Sequence, residues 1–305
     1  MSFVPIEACW ICADRTLTRY HDFGLDFSPY AEQDAELAAY TGARLSLARC
    51  GSCGFGQPSA LPTLPGFFAR MYDQRWSDEW VEQEFDAAYK DLIFRTILRE
   101  LARRQPAKGT LLDIGAHAGR FMWLAQTQGW LVEGVELNPR TADCAARRTG
   151  APVHRLDARD LAVEGRRYAA VSLTDVLEHI PEPLGMLSTA ASLLEDHGCI
   201  AIKVPCGVSQ FHKERVLSRL RPGHRVSLAD NLVHVNHFSP ASLRTALERC
   251  GFTDVAVRTA APELPSSSAI SRAVRMAVYG AGRLPGAVHT PLALNLQAYA
   301  TRMPR

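Results

Sequence analysis

Eleven consecutive residues constrain this chain more than any others: Leu111-Leu112-Asp113-Ile114-Gly115-Ala116-His117-Ala118-Gly119-Arg120-Phe121. An apolar run ends in an acid, passes through glycines and opens into a helical pattern, so the stretch predicts a strand, a tight turn and a helix in that order. Glycines at such a turn let the backbone approach a ligand closely. The helix behind them offers free N–H groups and the positive end of its dipole. A pyrophosphate cradle of the form G-x-G-x-x-G needs glycine at 117 and 120, where this chain has His117 and Arg120, so a dinucleotide is disfavoured.

Further apolar strands follow, each ending in an acid. Leu131 to Val135 leads to Glu136 and Leu137, and Asn138-Pro139 stops it. Val153 to Leu156 leads to Asp157-Ala158, and Ala169 to Thr174 leads to Asp175-Val176-Leu177-Glu178-His179-Ile180-Pro181. The second acid, Glu136, stands where a ribose diol needs a bidentate acceptor. Helical patterns lie between and beyond: Phe85 to Leu101, with Gln105 to Gly109 as its stop; Pro183 to Glu195, ended by His197-Gly198; and Pro240 to Cys250, closed by Gly251. Strands are expected at Cys199 to Pro205, Thr253 to Val257 and Leu292 to Ala300, the last from its alternating leucines. The alternation of helix and strand predicts an α/β, doubly wound sheet.

Eight cysteines fall into two C-x-x-C pairs, Cys9/Cys12 and Cys50/Cys53, and four scattered positions. Each knuckle turns two thiolates toward one centre, with Gly51 and Gly54 permitting the tight backbone, which suits tetrahedral zinc. The long intervening loop leaves room for a hairpin or a helix near Glu32 to Tyr40. A structural zinc is favoured over free or disulfide-paired thiols for a chain of the cytosol, and Cys144, Cys199, Cys206 and Cys250 are expected as small buried hydrophobes.

The glycine turn resembles the first motif, D-x-G-x-G-x-G, of class I S-adenosylmethionine (SAM) dependent methyltransferases, with His117 in place of the middle glycine. Val176-Leu177-Glu178-His179 resembles the "VLEH" element of a large methyltransferase group. Leu47 to Phe55 is similar to the second half of the zinc-binding domain that precedes certain bacterial C- and O-methyltransferases of sugars and natural products, and His234-Val235-Asn236-His237-Phe238-Ser239 resembles that family's "H-x-x-H-F-S" segment. The resemblance implies a seven-stranded, mostly parallel Rossmann-like sheet with one antiparallel strand near its edge, behind a small zinc-ribbon-like unit. It implies SAM held by Asp113, Gly115, His117, Gly119, Glu136, Leu137, Asp157, Ala158 and Thr174, and structural Zn2+ held by Cys9, Cys12, Cys50 and Cys53. The implied reaction is methyl transfer to a small-molecule acceptor such as a sugar, nucleotide-sugar or natural product. Deprotonation of the acceptor assigns a base, and His179, His234 and His237 are the candidates because imidazole titrates near the operating pH. Each has a structural alternative, such as capping the helix at Ser239-Pro240 or bracing the Pro181 turn.

The expected organisation is a zinc knuckle over residues 1–60, a linker and capping helices over 61–108, and a cofactor domain over 109–305 with insertions at 206–236 and 262–290. Gln57 to Gly66, with three prolines, reads as the linker, and the aromatics from Phe67 through Trp76 and Trp80 as either a cap or core. The insertion at 262–290 carries a helical pattern near Ser268 to Tyr279, which suits a lid or homodimer contact better than a membrane-surface helix. Composition agrees with a cytoplasmic enzyme: 305 residues, 47% apolar, without a signal-peptide pattern or an uninterrupted membrane-length apolar run. The net charge of +2 hides an asymmetry, since residues 203–305 hold fourteen Lys/Arg against five acids. That bias is a solvated face or an attraction to an anionic substrate. Two alternatives stand beside the enzyme of small molecules: a zinc-ribbon binding module on a degenerate cofactor fold, and an RNA or DNA methyltransferase, although no basic–aromatic patch supports nucleic acid.

Overall fold

The computed structural model describes residues 2–73, 78–264 and 268–304, without the side chains of 72, 73 and 78–80. The N-terminal part contains β1 (Phe3–Pro5), β2 (Leu17–Gly24), helix α1 (Ala35–Ala38), β3 (Arg44–Cys50), β4 (Gly56–Pro58) and β5 (Ala60–Pro62). Strands β2, β3 and β4 form one antiparallel sheet, and β1 pairs with β5. Half of the stretch expected as a linker is therefore strand. Pro58 and Pro62 sit in short strands, where a missing N–H costs little, Pro65 sits in the turn that follows, and Gln57 is fully buried, accepting from the Trp10 N–H at 2.9 Å and donating to the Ala8 carbonyl at 2.9 Å. These bonds fix the first knuckle to β4.

Three helices follow, α2 (Phe67–Asp73), α3 (Asp78–Asp86) and α4 (Asp91–Arg104). Helix α4 forms because Ile93, Phe94, Ile97, Leu98 and Leu101 recur on one face and are buried, with Asp91 in its first turn and Arg103 and Arg104 in its last. Each such side chain contributes about 1.5–3 kcal/mol on burial. The single helix expected over 85–101 is in fact two. Ala88 takes a left-handed φ of 52° and breaks it, and the break turns Tyr89 and Lys90 toward the main sheet. Phe67 and Met71 are core residues, with Phe67 packed edge-on against Phe27 and Tyr40. Trp76 lies outside the described residues, as does the Trp80 side chain.

The main sheet is built from β6 (Thr110–Ile114), α5 (Arg120–Thr127), β7 (Leu131–Val135), α6 (Pro139–Thr149), β8 (Val153–His154), α7 (Ala158–Val163), β9 (Tyr168–Thr174), α8 (Pro183–Leu193), β10 (Leu194–Pro205), α9 (Gly207–Leu220), α10 (Pro240–Arg249), β11 (Phe252–Thr259), α11 (Ala269–Gly282) and β12 (Asn295–Arg302). Its seven strands run β11-β12-β10-β9-β6-β7-β8, and β12 alone is antiparallel to its neighbours. Helices cover both faces, so β9 is buried along nearly its whole length and reads as a continuous apolar run. The same two-sided cover explains why β12 begins at Asn295 and not Leu292: inside the sheet its residues are buried on both faces, while Leu292 and Leu294 are exposed. Helix α8 stops at Leu193, because Leu194 already pairs with Tyr168, and His197-Gly198 lie where the register of β10 shifts.

The caps follow the sequence rules. Asn138 accepts from the N–H groups of Arg140 and Thr141 with Pro139 at the first helical position, and Gly150 closes α6 with φ 66°. Ser239 makes a reciprocal capping box with Ser242 ahead of α10. Cys144, Cys199 and Cys206 are buried, and Cys250 is half-buried. Among the described residues no helix is long and apolar enough to cross a membrane.

At the head of α5, Gly119 has φ 85°, and an added Cβ would stand 2.8 Å from Ala145 Cα. Gly119→Ala therefore strains the backbone and pushes α5 from α6. The expected loss, read by urea unfolding, is about 1–3 kcal/mol.

Candidate functional site

The turn after β6 is tied to the tip of β7. The N–H groups of Gly115 and Ala116 both donate to the Val135 carbonyl, at 2.8 and 3.0 Å. Gly115 has φ 76°, and a Cβ there would lie 2.5 Å from Val176, so only glycine brings the turn this close to the segment after β9. His117 also adopts the left-handed region, φ 49°, where the family motif has glycine. Its N–H donates to Glu136 Oε2 at 2.9 Å, and the Asn138 N–H donates to Oε1 at 3.0 Å. A carboxylate holding two backbone donors keeps lone pairs for a ligand's hydroxyls.

Asp113 is buried beneath the turn and accepts from Ser172 Oγ at 2.7 Å. Burial pushes its carboxyl up to about 7. His117 is held down at about 4, by burial first and by the nearby Lys90 second, so it is a neutral imidazole in the cofactor turn. Asp157 caps α7 by accepting from the Arg159 N–H at 2.9 Å; Ala158 beside it is buried. Leu137 is 64% exposed just beyond Glu136, an apolar surface beside the polar groups. Thr174, at the tip of β9, has a buried hydroxyl with no hydrogen-bond partner.

The turn, Asp113 and Thr174 line a cavity of ≈ 60 Å³ together with Ala88, Tyr89, Lys90 and Phe94. A cofactor pocket measures about 300–1,000 Å³. The cavity is thus smaller than a nucleoside-sized ligand. The sequence predicts capping helices over 61–108, but not the break at Ala88 that brings Tyr89 and Lys90 here, nor the charges below them. Lys90 reaches Asp175 at 3.1 Å, and the fully buried Lys203 of β10 contacts the same carboxylate. Burial acts to raise the Asp175 carboxyl, but Lys203 and Lys90 outweigh it and hold it below the usual carboxylate range. A lysine inside an apolar strand, Lys203, is the sequence signal that could have revealed the cluster.

The three candidate histidines part company. His179 and His234 stand together, ring centroids 4.8 Å apart, and His179 Nδ1 donates to the Val233 carbonyl at 2.6 Å. That bond makes Nε2 the nitrogen with the lone pair. Glu178 beside them is buried, and burial, reinforced by Asp175, pushes its carboxyl up to about 8. His237 is elsewhere: fully buried, Nδ1 on Gln210 Oε1 at 2.9 Å, packed on Phe211, its backbone exchanging hydrogen bonds with Gly56. Burial depresses it to about 3. It fastens the N-terminal sheet to the loop before α10, and Ser239 is the residue that caps that helix.

The four knuckle cysteines converge, their Sγ atoms all within 4.8 Å of one another. Cys9 and Cys53 lie 3.6 Å apart, and Cys12 and Cys50 3.5 Å. Four sulfurs on a tetrahedral zinc with bonds of about 2.3 Å sit about 3.8 Å apart, so the set fits that ion. Cys9 is drawn down to about 5, chiefly by a hydrogen bond from Cys53, which is itself pushed up by the same contact.

Comparison with known proteins agrees with this geometry. A family model described as a methyltransferase domain matches residues 85–257. No curated protein matches the chain. Among solved structures, the plantazolicin methyltransferase BpumL in complex with SAH superposes with a TM-score of 0.53 at 13% identity, covering 78% of this chain and 94% of that one. The methyltransferase bound to the Trm112 activator of Haloferax volcanii gives 0.53 at 14%, covering 77% and 96%. A SAM dependent methyltransferase from Archaeoglobus fulgidus gives 0.46 at 20%, covering 72% and 97%. For the first two, at these identities, the likeness is one of fold.

A raised Asp113 means that the native state holds a proton the unfolded chain has lost, so this residue's contribution to stability falls as pH rises from about 4 toward about 7. Asp113→Asn lacks that slope. Urea unfolding at pH 5 and pH 7.5 should show the variant gaining on the parent at the higher pH; parallel pH profiles would exclude the buried proton.

Proposed function

The chain belongs to the methyltransferase family and is a SAM-dependent enzyme, and on that premise we propose that it methylates a small-molecule acceptor of sugar, nucleotide-sugar or natural-product type. The donor set at the strand tips carries the cofactor assignment. Glu136 accepts the ribose hydroxyls, Asp157 and the exposed Leu137 border the base, Thr174 offers its unpartnered hydroxyl, and the backbone at Gly115, His117 and Gly119 makes room for the amino-acid end. SAM supplies a methyl carbon on a sulfonium, open to direct displacement. The protein's part is to hold acceptor and donor in line and to exclude water. The cap at Tyr89 and Lys90 serves the second task by closing over the turn.

The acceptor's reacting group lies against Glu178, His179 and His234, and these residues govern its deprotonation. A small acceptor draws support from one fold neighbour, a methyltransferase named for the natural product plantazolicin. An anionic acceptor draws support from a second cleft, of ≈ 730 Å³, between the β2 and β3 strands and α9, which gathers Arg19, Arg49, Arg215 and Arg219 against one acid, Glu214. The four thiolates hold structural zinc, whose closed coordination makes it a brace for the N-terminal unit.

Calorimetry with SAH tests the cofactor site: the parent binds, and Glu136→Ala weakens binding at least tenfold, about 1.4 kcal/mol or more. A parent that binds no SAH would overturn the reading. His179→Ala should lower kcat by about 10²–10⁴ while leaving SAH affinity unchanged, measured as methyl gain by mass spectrometry on sugar-nucleotide and natural-product acceptors. Zinc removal by a chelator, or Cys9→Ser, should lower the melting temperature in step with the measured zinc content.

A further inference from the structure

Among the described residues, Glu178, His179 and His234 form a second group with the spacing to hold a metal, apart from the thiolates: one nitrogen or carboxylate oxygen from each lies within 4.8 Å of the others. Nitrogen and oxygen donors around an ion at about 2.1 Å stand about 3–4 Å from one another, so modest side-chain rotations complete the set. Two observations point to a ligand there. Glu178 is 1% exposed, yet its Oε2 has no hydrogen-bond partner, a condition that buried carboxylate oxygens rarely keep. His179 donates Nδ1–H to the Val233 carbonyl, the outer bond by which ligating imidazoles are oriented and their other nitrogen made basic.

The backbone, in turn, holds the two segments in register. Val235 and Asn236 both donate their N–H groups to the Glu178 carbonyl, at 2.8 and 3.1 Å. The Asn236 side-chain amide donates to the carbonyls of Leu177 and Ile180, at 2.6 and 2.7 Å. The turn carrying Glu178 and His179 is thereby stapled to the loop carrying His234, and the donors are organised before any ion arrives.

We propose that Glu178, His179 and His234 bind a divalent transition cation, with the remaining coordination positions open toward the acceptor's oxygen atoms. One carboxylate and two imidazoles suit Mn2+, Fe2+, Co2+ or Zn2+, whereas the four-thiolate site suits zinc. The site's place beside the acceptor rests on the function proposed above; the binding of the ion does not.

The test uses the full-length protein with its zinc in place, dialysed against Mn2+, which thiolates hold poorly, and in parallel against Zn2+. The expected result is one Mn2+, or one zinc beyond the thiolate-bound ion, per chain by elemental analysis. Affinity should fall at least tenfold in Glu178→Gln and in His234→Ala, with the thiolate zinc retained. Should His234→Ala fail to fold, the near-isosteric Glu178→Gln decides. Absence of the additional ion in the parent, or equal binding in parent and Glu178→Gln, overturns the proposal. SAH binding on the same samples separates the two readings: its loss with the cation retained strikes the methyl-transfer reading alone, and the reverse strikes the cation site alone.

Discussion

The carboxylate of Glu136 is the interaction on which the cofactor end depends. By accepting from His117 on one side and Asn138 on the other, it ties the turn after β6 to the loop after β7. The Gly115 and Ala116 N–H groups on the Val135 carbonyl complete the tie. With the two strand tips locked, the left-handed turn can hold a histidine where a glycine would be easier, since the bonds made by its backbone offset the strain of φ 49°. The histidine is then fixed, neutral, at the wall of the cavity.

The N-terminal unit is not an appendage. Phe23, Phe27, Leu37, Leu47 and Phe67 share one buried cluster with Phe211, Leu232 and Val235 of the insertion, and Cys9, Ile11, Cys53 and Phe55 join the core of the main sheet. Gly56 exchanges backbone bonds with His237, and a Cβ at Gly56 would meet Phe211 at 2.6 Å. Ser239 Oγ donates to the Cys53 carbonyl at 2.6 Å. The loop that bears His234 is therefore seated on the knuckle that bears Cys53.

Much of this was legible residue by residue. Asp113, Gly115, Gly119, Glu136 and Thr174 each announce a strand tip or a turn, because a parallel sheet with covered faces forces apolar runs to end abruptly at its carboxyl edge. The two C-x-x-C pairs announce their own convergence. What stayed hidden is long-range. The break at Ala88 carries no proline or glycine, so periodicity runs straight through it and Tyr89 and Lys90 pass for helix. His237 sits in a motif beside His234, yet the backbone there turns one imidazole into the core and leaves the other with His179.

The sequence by itself determined the succession of the seven main-sheet strands, the glycine turn with its acids and the four thiolates, since each follows from local spacing and backbone sterics. Only the tertiary structure decided which of the three histidines share a site, that Lys203 and Lys90 compensate Asp175, and that Glu178 is left with an unanswered oxygen. Those facts depend on side chains brought together across the sheet from distant positions, and burial and charge compensation exist only once that packing is made.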